Sequence, residues 1–108
     1  MVKTRSELET MLNTLNIQVF YDHTTKSNVV NTPYIVYFET ASRNTYADNS
    51  TYAETMNYSV ILFNHKRDET LENSIKTLFT NNHIPYDLSD IDWQEDLLLW
   101  SSQFDITI

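Results

Sequence analysis

Not one of the 108 residues is a glycine, against an average usage of about 7%. A Walker phosphate loop, a dinucleotide-binding GxGxxG turn and a GxSxG nucleophile elbow each need a backbone that glycine supplies, so all three are excluded. Tight turns fall instead to asparagine and aspartate, which tolerate left-handed backbone and bond their own main chain. Asn49, Asn64, Asn81 and Asn82 are placed for that role. Cysteine is absent too, which removes disulfides, Cys-ligated zinc and a thiol nucleophile. No apolar run approaches the roughly 18 residues that a membrane-spanning helix needs. "YIVYF" and "LLLW" are strand-sized. The opening "MVKTRSELE" is charged and helical in character, without a secretory apolar core, and predicts a protein made and kept in a cytoplasm. The glycosylation patterns at Asn49 and Asn57 therefore read as chance matches.

Positive charge is scarce. The formal net charge of −8 argues against sequence-independent binding of duplex DNA, because that affinity comes from Lys and Arg displacing counterions from phosphates. Lys76 is the last cation, and Asp87, Asp90, Asp92, Glu95, Asp96 and Asp105 all follow it. Two readings are open: a solvated acidic face, or a surface that repels nucleic acid or meets a basic partner. The run "DLSDIDWQED" lacks the sixth-position glycine and closing glutamate of a calcium loop. His23, His65 and His83 have no partners at catalytic or metal-ligating intervals. Paired carboxylates for glycoside cleavage are a matter of spatial separation, and nothing in the chain favours them. The expectation is a protein that is not an enzyme and carries no metal or cofactor.

Apolar residues make up 41% of the chain and aromatics 13%, enough for one modest core in a single domain over residues 1–108. "SELE" has capping-box spacing from Ser6 to Glu9, and Leu8, Met11, Leu12 and Leu15 recur at helical intervals, which predicts a helix over 4–15. "IQVFYD" at 17–22 predicts a short strand, and "YIVYFET" at 34–40, apolar on both parities, a central strand covered on both faces. "TMNYSVILFN" alternates, with Met56, Tyr58, Val60 and Leu62 on the core side. Asp68 caps a second helix whose Leu71, Ile75, Leu78 and Phe79 form one stripe before "NN" ends it. Residues 84–93 predict a fourth strand with a bulge near Ser89 and Asp90, where parity slips. Leu98, Trp100, Phe104, Ile106 and Ile108 predict a fifth. The order α-β-β-β-α-β-β implies an α+β fold, a mostly antiparallel five-stranded sheet with two helices on one face.

Between the second and third strands runs "NTYADNSTYAET". Tyr34, Tyr37 and Tyr58 belong to strands, whereas Tyr46 and Tyr52 stand in this polar connection. Aromatic side chains there suit a protein interface, or else fold back over the sheet end.

Residues 33–64, "PYIVYFETASRNTYADNSTYAETMNYSVILFN", resemble the tail terminator, or tail completion, proteins of long-tailed bacteriophages. Members of that family show a "PYIVY" strand, an "ADN..Y" loop and a strand like "NYSVILF". A helix with a "KRDETLE"-like start, a "HIPYD"-like segment and a final hairpin follow in the family and here in the same order, so the resemblance covers nearly the whole chain. The absence of glycine departs from many members.

The resemblance implies a virion structural protein that caps the tail tube as a six-fold ring of identical subunits and presents the surface on which the head docks. The implied partners are the tail tube protein, a head-side connector or head-closure protein, and DNA that passes through the lumen without specific binding. No membrane is involved. The implied location is the tail-neck junction, after assembly in the host cytoplasm. Tyr46, Asp48, Asn49 and Tyr52 match the family loop, and the stretch 42–53 is expected to be an interface arm. Asp87, Asp90, Asp92, Glu95 and Asp96 would form an acidic surface toward the lumen, where it limits phosphate sticking. The alternatives are a head-closure or adaptor ring component on the head side, or a small acidic inhibitor or enzyme.

Overall fold

The computed structural model describes residues 2, 4–22, 32–40, 56–96 and 98–108. Its elements run α1 (Arg5–Asn13), β1 (Gln18–Tyr21), β2 (Tyr34–Thr40), β3 (Asn57–Asn64), α2 (Glu69–Asn81), β4 (Tyr86–Gln94) and β5 (Leu99–Thr107). The expected α+β order holds. The strands form one sheet in the order β1-β2-β3-β5-β4. The β1·β2 pair is parallel and the other three are antiparallel.

The caps explain where the helices begin. Thr4, two residues before the expected Ser6, caps α1: its hydroxyl accepts from the Glu7 N–H at 3.2 Å and donates to the Glu7 carboxylate at 3.1 Å. Glu7 stands three residues after the cap, as in a capping box, but its carboxylate takes the Thr4 hydroxyl in place of the Thr4 N–H. Asp68 caps α2 as expected, accepting from the Leu71 N–H at 3.1 Å.

Turn chemistry meets the asparagine and aspartate expectation in part: Asn16 and Asp22 are left-handed, Asn64 accepts the His65 N–H at 2.8 Å, and the Asn82 amide donates to the Leu78 carbonyl at 2.8 Å. Among the described residues the left-handed positions are Asn16, Asp22, His83 and Leu98, and none is Asn64, Asn81 or Asn82. Asn49 lies outside the described residues. After α2 the Ile84 N–H reaches the Phe79 carbonyl at 2.9 Å and the His83 N–H reaches Thr80 at 3.1 Å. This is a Schellman ending in which His83 takes the place usually held by glycine.

Both helices cover the same face of the sheet. Leu8 and Leu12 of α1 and Ile75 and Phe79 of α2 are fully buried with Ile35, Tyr37, Tyr58, Val60, Phe104 and Ile106. Each such aliphatic or aromatic side chain contributes about 1.5 to 3 kcal/mol by leaving water. The Tyr37 hydroxyl donates to Glu9 at 2.9 Å and so ties β2 to α1. The Tyr58 hydroxyl, in contrast, is buried without a hydrogen-bond partner among the described residues. Among the described residues one charge enters this layer: Glu72, nearly buried on α2, accepts from Arg67 at 3.1 Å and from the Ser102 hydroxyl at 3.0 Å.

The helix-free face divides into an apolar and a polar part. Tyr34, Val36 and Leu99 are buried there, with Phe20 and Phe63 against them. Tyr34 stacks on Phe63 with ring centroids 5.0 Å apart. Burial of Tyr34 and Val36 on one face and Ile35 and Tyr37 on the other bears out β2 as a strand covered on both sides.

Candidate functional site

The acidic residues singled out in the sequence come together on β4 and its turn. Among the described strands β4 lies at the edge of the sheet and pairs with β5. Asp87 lies opposite Asp105, Asp90 opposite Gln103 and Asp92 opposite Ser101. These partners alternate with Trp100, Ser102, Phe104 and Ile106, the last two of which face the helices. The three β4 aspartates therefore occupy the helix-free face. The register shift between Leu88 and Asp90 makes this possible. Without the bulge, Asp87 and Asp90, three residues apart, would point to opposite faces.

Asp105 joins them from β5. It was visible in the acidic run, but only strand pairing puts it directly across from Asp87. Like charges directly opposite on adjacent strands repel. The structure compensates at Asp105: its carboxylate accepts from the Ser59 hydroxyl at 2.9 Å and from the Gln103 amide at 3.1 Å. Partial burial pushes the Asp105 carboxyl up, yet the hydrogen bonds of Gln103, Ser59 and Ser89 outweigh it and hold the group below its ordinary value. Asp105 is thus kept ionised. Asn57, Ser59, Asp87, Gln103, Asp105 and Thr107 border an open cleft of about 620 Å³ at this end of the sheet.

Glu95 and Asp96 belong to the turn that joins β4 to β5, beyond the Gln94–Leu99 pair. Glu95 accepts the Trp93 indole N–H at 2.8 Å. Leu98, expected in the fifth strand, is instead in this turn, with φ 54. Its period-two match with Trp100 misled, because a four-residue connection separates Gln94 from Leu99 and consumes it.

The four loop residues Tyr46, Asp48, Asn49 and Tyr52 lie outside the described residues. The two ends of their segment are fixed: Thr40 closes β2 opposite Asn57, and Asn57 pairs with Thr107. The loop thus leaves and re-enters the sheet at the end opposite the β4–β5 turn, where Asn64 pairs with Trp100 and Trp100 with Trp93.

Exposed carboxylates along a strand edge discourage edge-to-edge pairing and repel phosphate. Among the described residues, no three His, Asp or Glu side chains converge as a metal cage, and no helix is long and apolar enough to cross a membrane. Neither a protein-family model nor a curated protein sequence matches the chain.

Proposed function

We propose that this protein is a phage virion component that caps the end of the tail tube as a ring, six-fold in symmetry, and offers the surface on which the head docks. The observation that carries the reading beyond its sequence resemblance is the helix-free sheet face. Asp87, Asp90, Asp92 and Asp105 line up there while both helices occupy the other side. A ring of such subunits with this face inward encloses a channel of negative potential, through which DNA slides without phosphate contacts to hold it. Glu95 and Asp96 extend the charge to the rim of the hairpin.

The partners in this reading are further copies of the chain, the tail tube protein below and a head-side connector or head-closure protein above. The protein assembles in the bacterial cytoplasm and ends at the tail-neck junction. A tube of identical stacked rings presents the same growing face after every addition, so a different protein must cover that face to stop it. Such work needs interfaces rather than an active site.

Disruption of the gene tests the proposal. Filled heads and separate, unjoined tails are expected, some of the tails overlong, with joining restored when purified protein is added. Terminated tails of normal length beside heads that leak DNA would assign the protein to head closure instead.

A further inference from the structure

Leu98 carries two costs that its own fold does not recover. Its φ of 54 lies in the left-handed region, which L-residues with a large side chain avoid because Cβ crowds the carbonyl oxygen. Its side chain is 61% exposed, so no burial offsets the strain. Asn16, Asp22 and His83, the other left-handed residues described, are of types that enter this region more readily. An asparagine at position 98 would close the same turn with less strain.

Trp93, 37% exposed, lies at the same end of the hairpin, one residue pair before the Gln94–Leu99 pair that leads into the turn. Its ring packs edge-to-face on Trp100 with centroids 5.6 Å apart, and its N–H is already satisfied by Glu95. The surface it presents outward is therefore the apolar ring. An exposed Trp and Leu at one tip form the kind of anchor that dominates interface energetics. Glu95 and Asp96, exposed in the same turn, and Asp92 on the other side of β4 make this end of the hairpin acidic. The complementary surface is an apolar pocket rimmed by lysine or arginine.

The tip and the 41–55 connection leave the sheet at opposite ends. The nine residues of β5 separate those ends by about 30 Å at the rise of an extended strand. We infer that the β4–β5 hairpin tip is the head-facing anchor, with Leu98 and Trp93 entering a pocket of a basic-rimmed connector surface while the opposite end of the sheet engages the tube. This inference rests on the tube-cap reading.

The experiment uses tails from a phage that lacks the gene, capped with purified protein, and DNA-filled heads from the same infection. Cap retention on tails and the number of joined particles are read separately. Leu98→Asn should fold with an unchanged or higher Tm and cap tails as the wild type does, while joining falls roughly 10- to 100-fold, the size of a hot-spot truncation. Glu95→Lys with Asp96→Lys should likewise cap tails and lose joining. Wild-type joining by Leu98→Asn would overturn the anchor and leave the tube-cap reading standing. Loss of capping by a folded Leu98→Asn would turn the tip toward the tube and overturn the head-facing assignment. Loss of self-association in the free protein would give the tip to a second copy instead, with the same effect. Failure of the wild type itself to cap or join would remove the tube-cap reading and the anchor with it.

Discussion

Ser59 on β3 and Asp105 on β5 face each other across the helix-free side of the sheet, and the Ser59 hydroxyl donates to the Asp105 carboxylate at 2.9 Å. Because the folded state holds Asp105 below its ordinary value, this group stabilises the fold at pH values above the unfolded aspartate pKa, about 4. That stabilisation is lost as the pH falls through the lowered folded value. Urea unfolding from pH 6 down to pH 2 should therefore show a smaller acid-side loss for Asp105→Asn than for the wild type. Equal pH slopes would mean that the Ser59 contact does not bias the ionised form.

Tyr58 presents the opposite situation on the helix side. Its hydroxyl is buried without a partner among the described residues, and burial, then the charges of Glu39 and Tyr21, push its pKa up, so it stays neutral. A buried unsatisfied hydroxyl costs about 1 to 3 kcal/mol. Tyr58→Phe keeps the ring and removes the orphan atom. It should raise stability by about 1 kcal/mol in chemical denaturation, whereas a clear loss would reveal a partner for the hydroxyl.

Glu72 is the one charge that the core layer accepts among the described residues. Glu72→Ala strands the Ser102 hydroxyl, which is buried, and the Arg67 guanidinium, which keeps solvent access. The expected cost is about 2 to 3 kcal/mol, below that of breaking a fully buried pair. Arg67→Ala leaves the carboxylate nearly buried with Ser102 alone and should cost a similar amount. The pair of melting curves checks both.

How far these contacts could be read beforehand differs by kind. Period-two alternation in "NYSVILF" and the parity slip near Ser89 lead directly to the core side of β3 and to the β4 bulge, because strand geometry is local. The cross-strand pair Asp87–Asp105 is another matter: it depends on β5 lying between β3 and β4, a tertiary arrangement that no local pattern encodes. Glu72 was hidden for a similar reason. It occupies a buried helical position that reads as polar surface until Arg67 and Ser102 are brought to it. Leu98 kept its strand periodicity in sequence while the turn claimed it, since a leucine gives no turn signal.

Tyr46→Ala combined with Tyr52→Ala probes the connection between β2 and β3. If the arm serves an interface, melting changes by less than about 0.5 kcal/mol while ring assembly on tubes weakens by about 1 to 4 kcal/mol, as interface aromatics do. Thermal melting and a tube-capping titration separate the two. A large fall in Tm with capping unchanged would make these tyrosines part of the sheet's cover.

The central claim is that this chain is the ring at the head-proximal end of the tail tube. Cryo-electron microscopy of intact virions, with the subunit fold fitted into the neck density, tests it most directly. The account predicts six copies in one ring on the last tube layer, the Asp87–Asp105 face turned to the DNA channel and the hairpin tips toward the head. A neck in which no copy of this chain is found would contradict it.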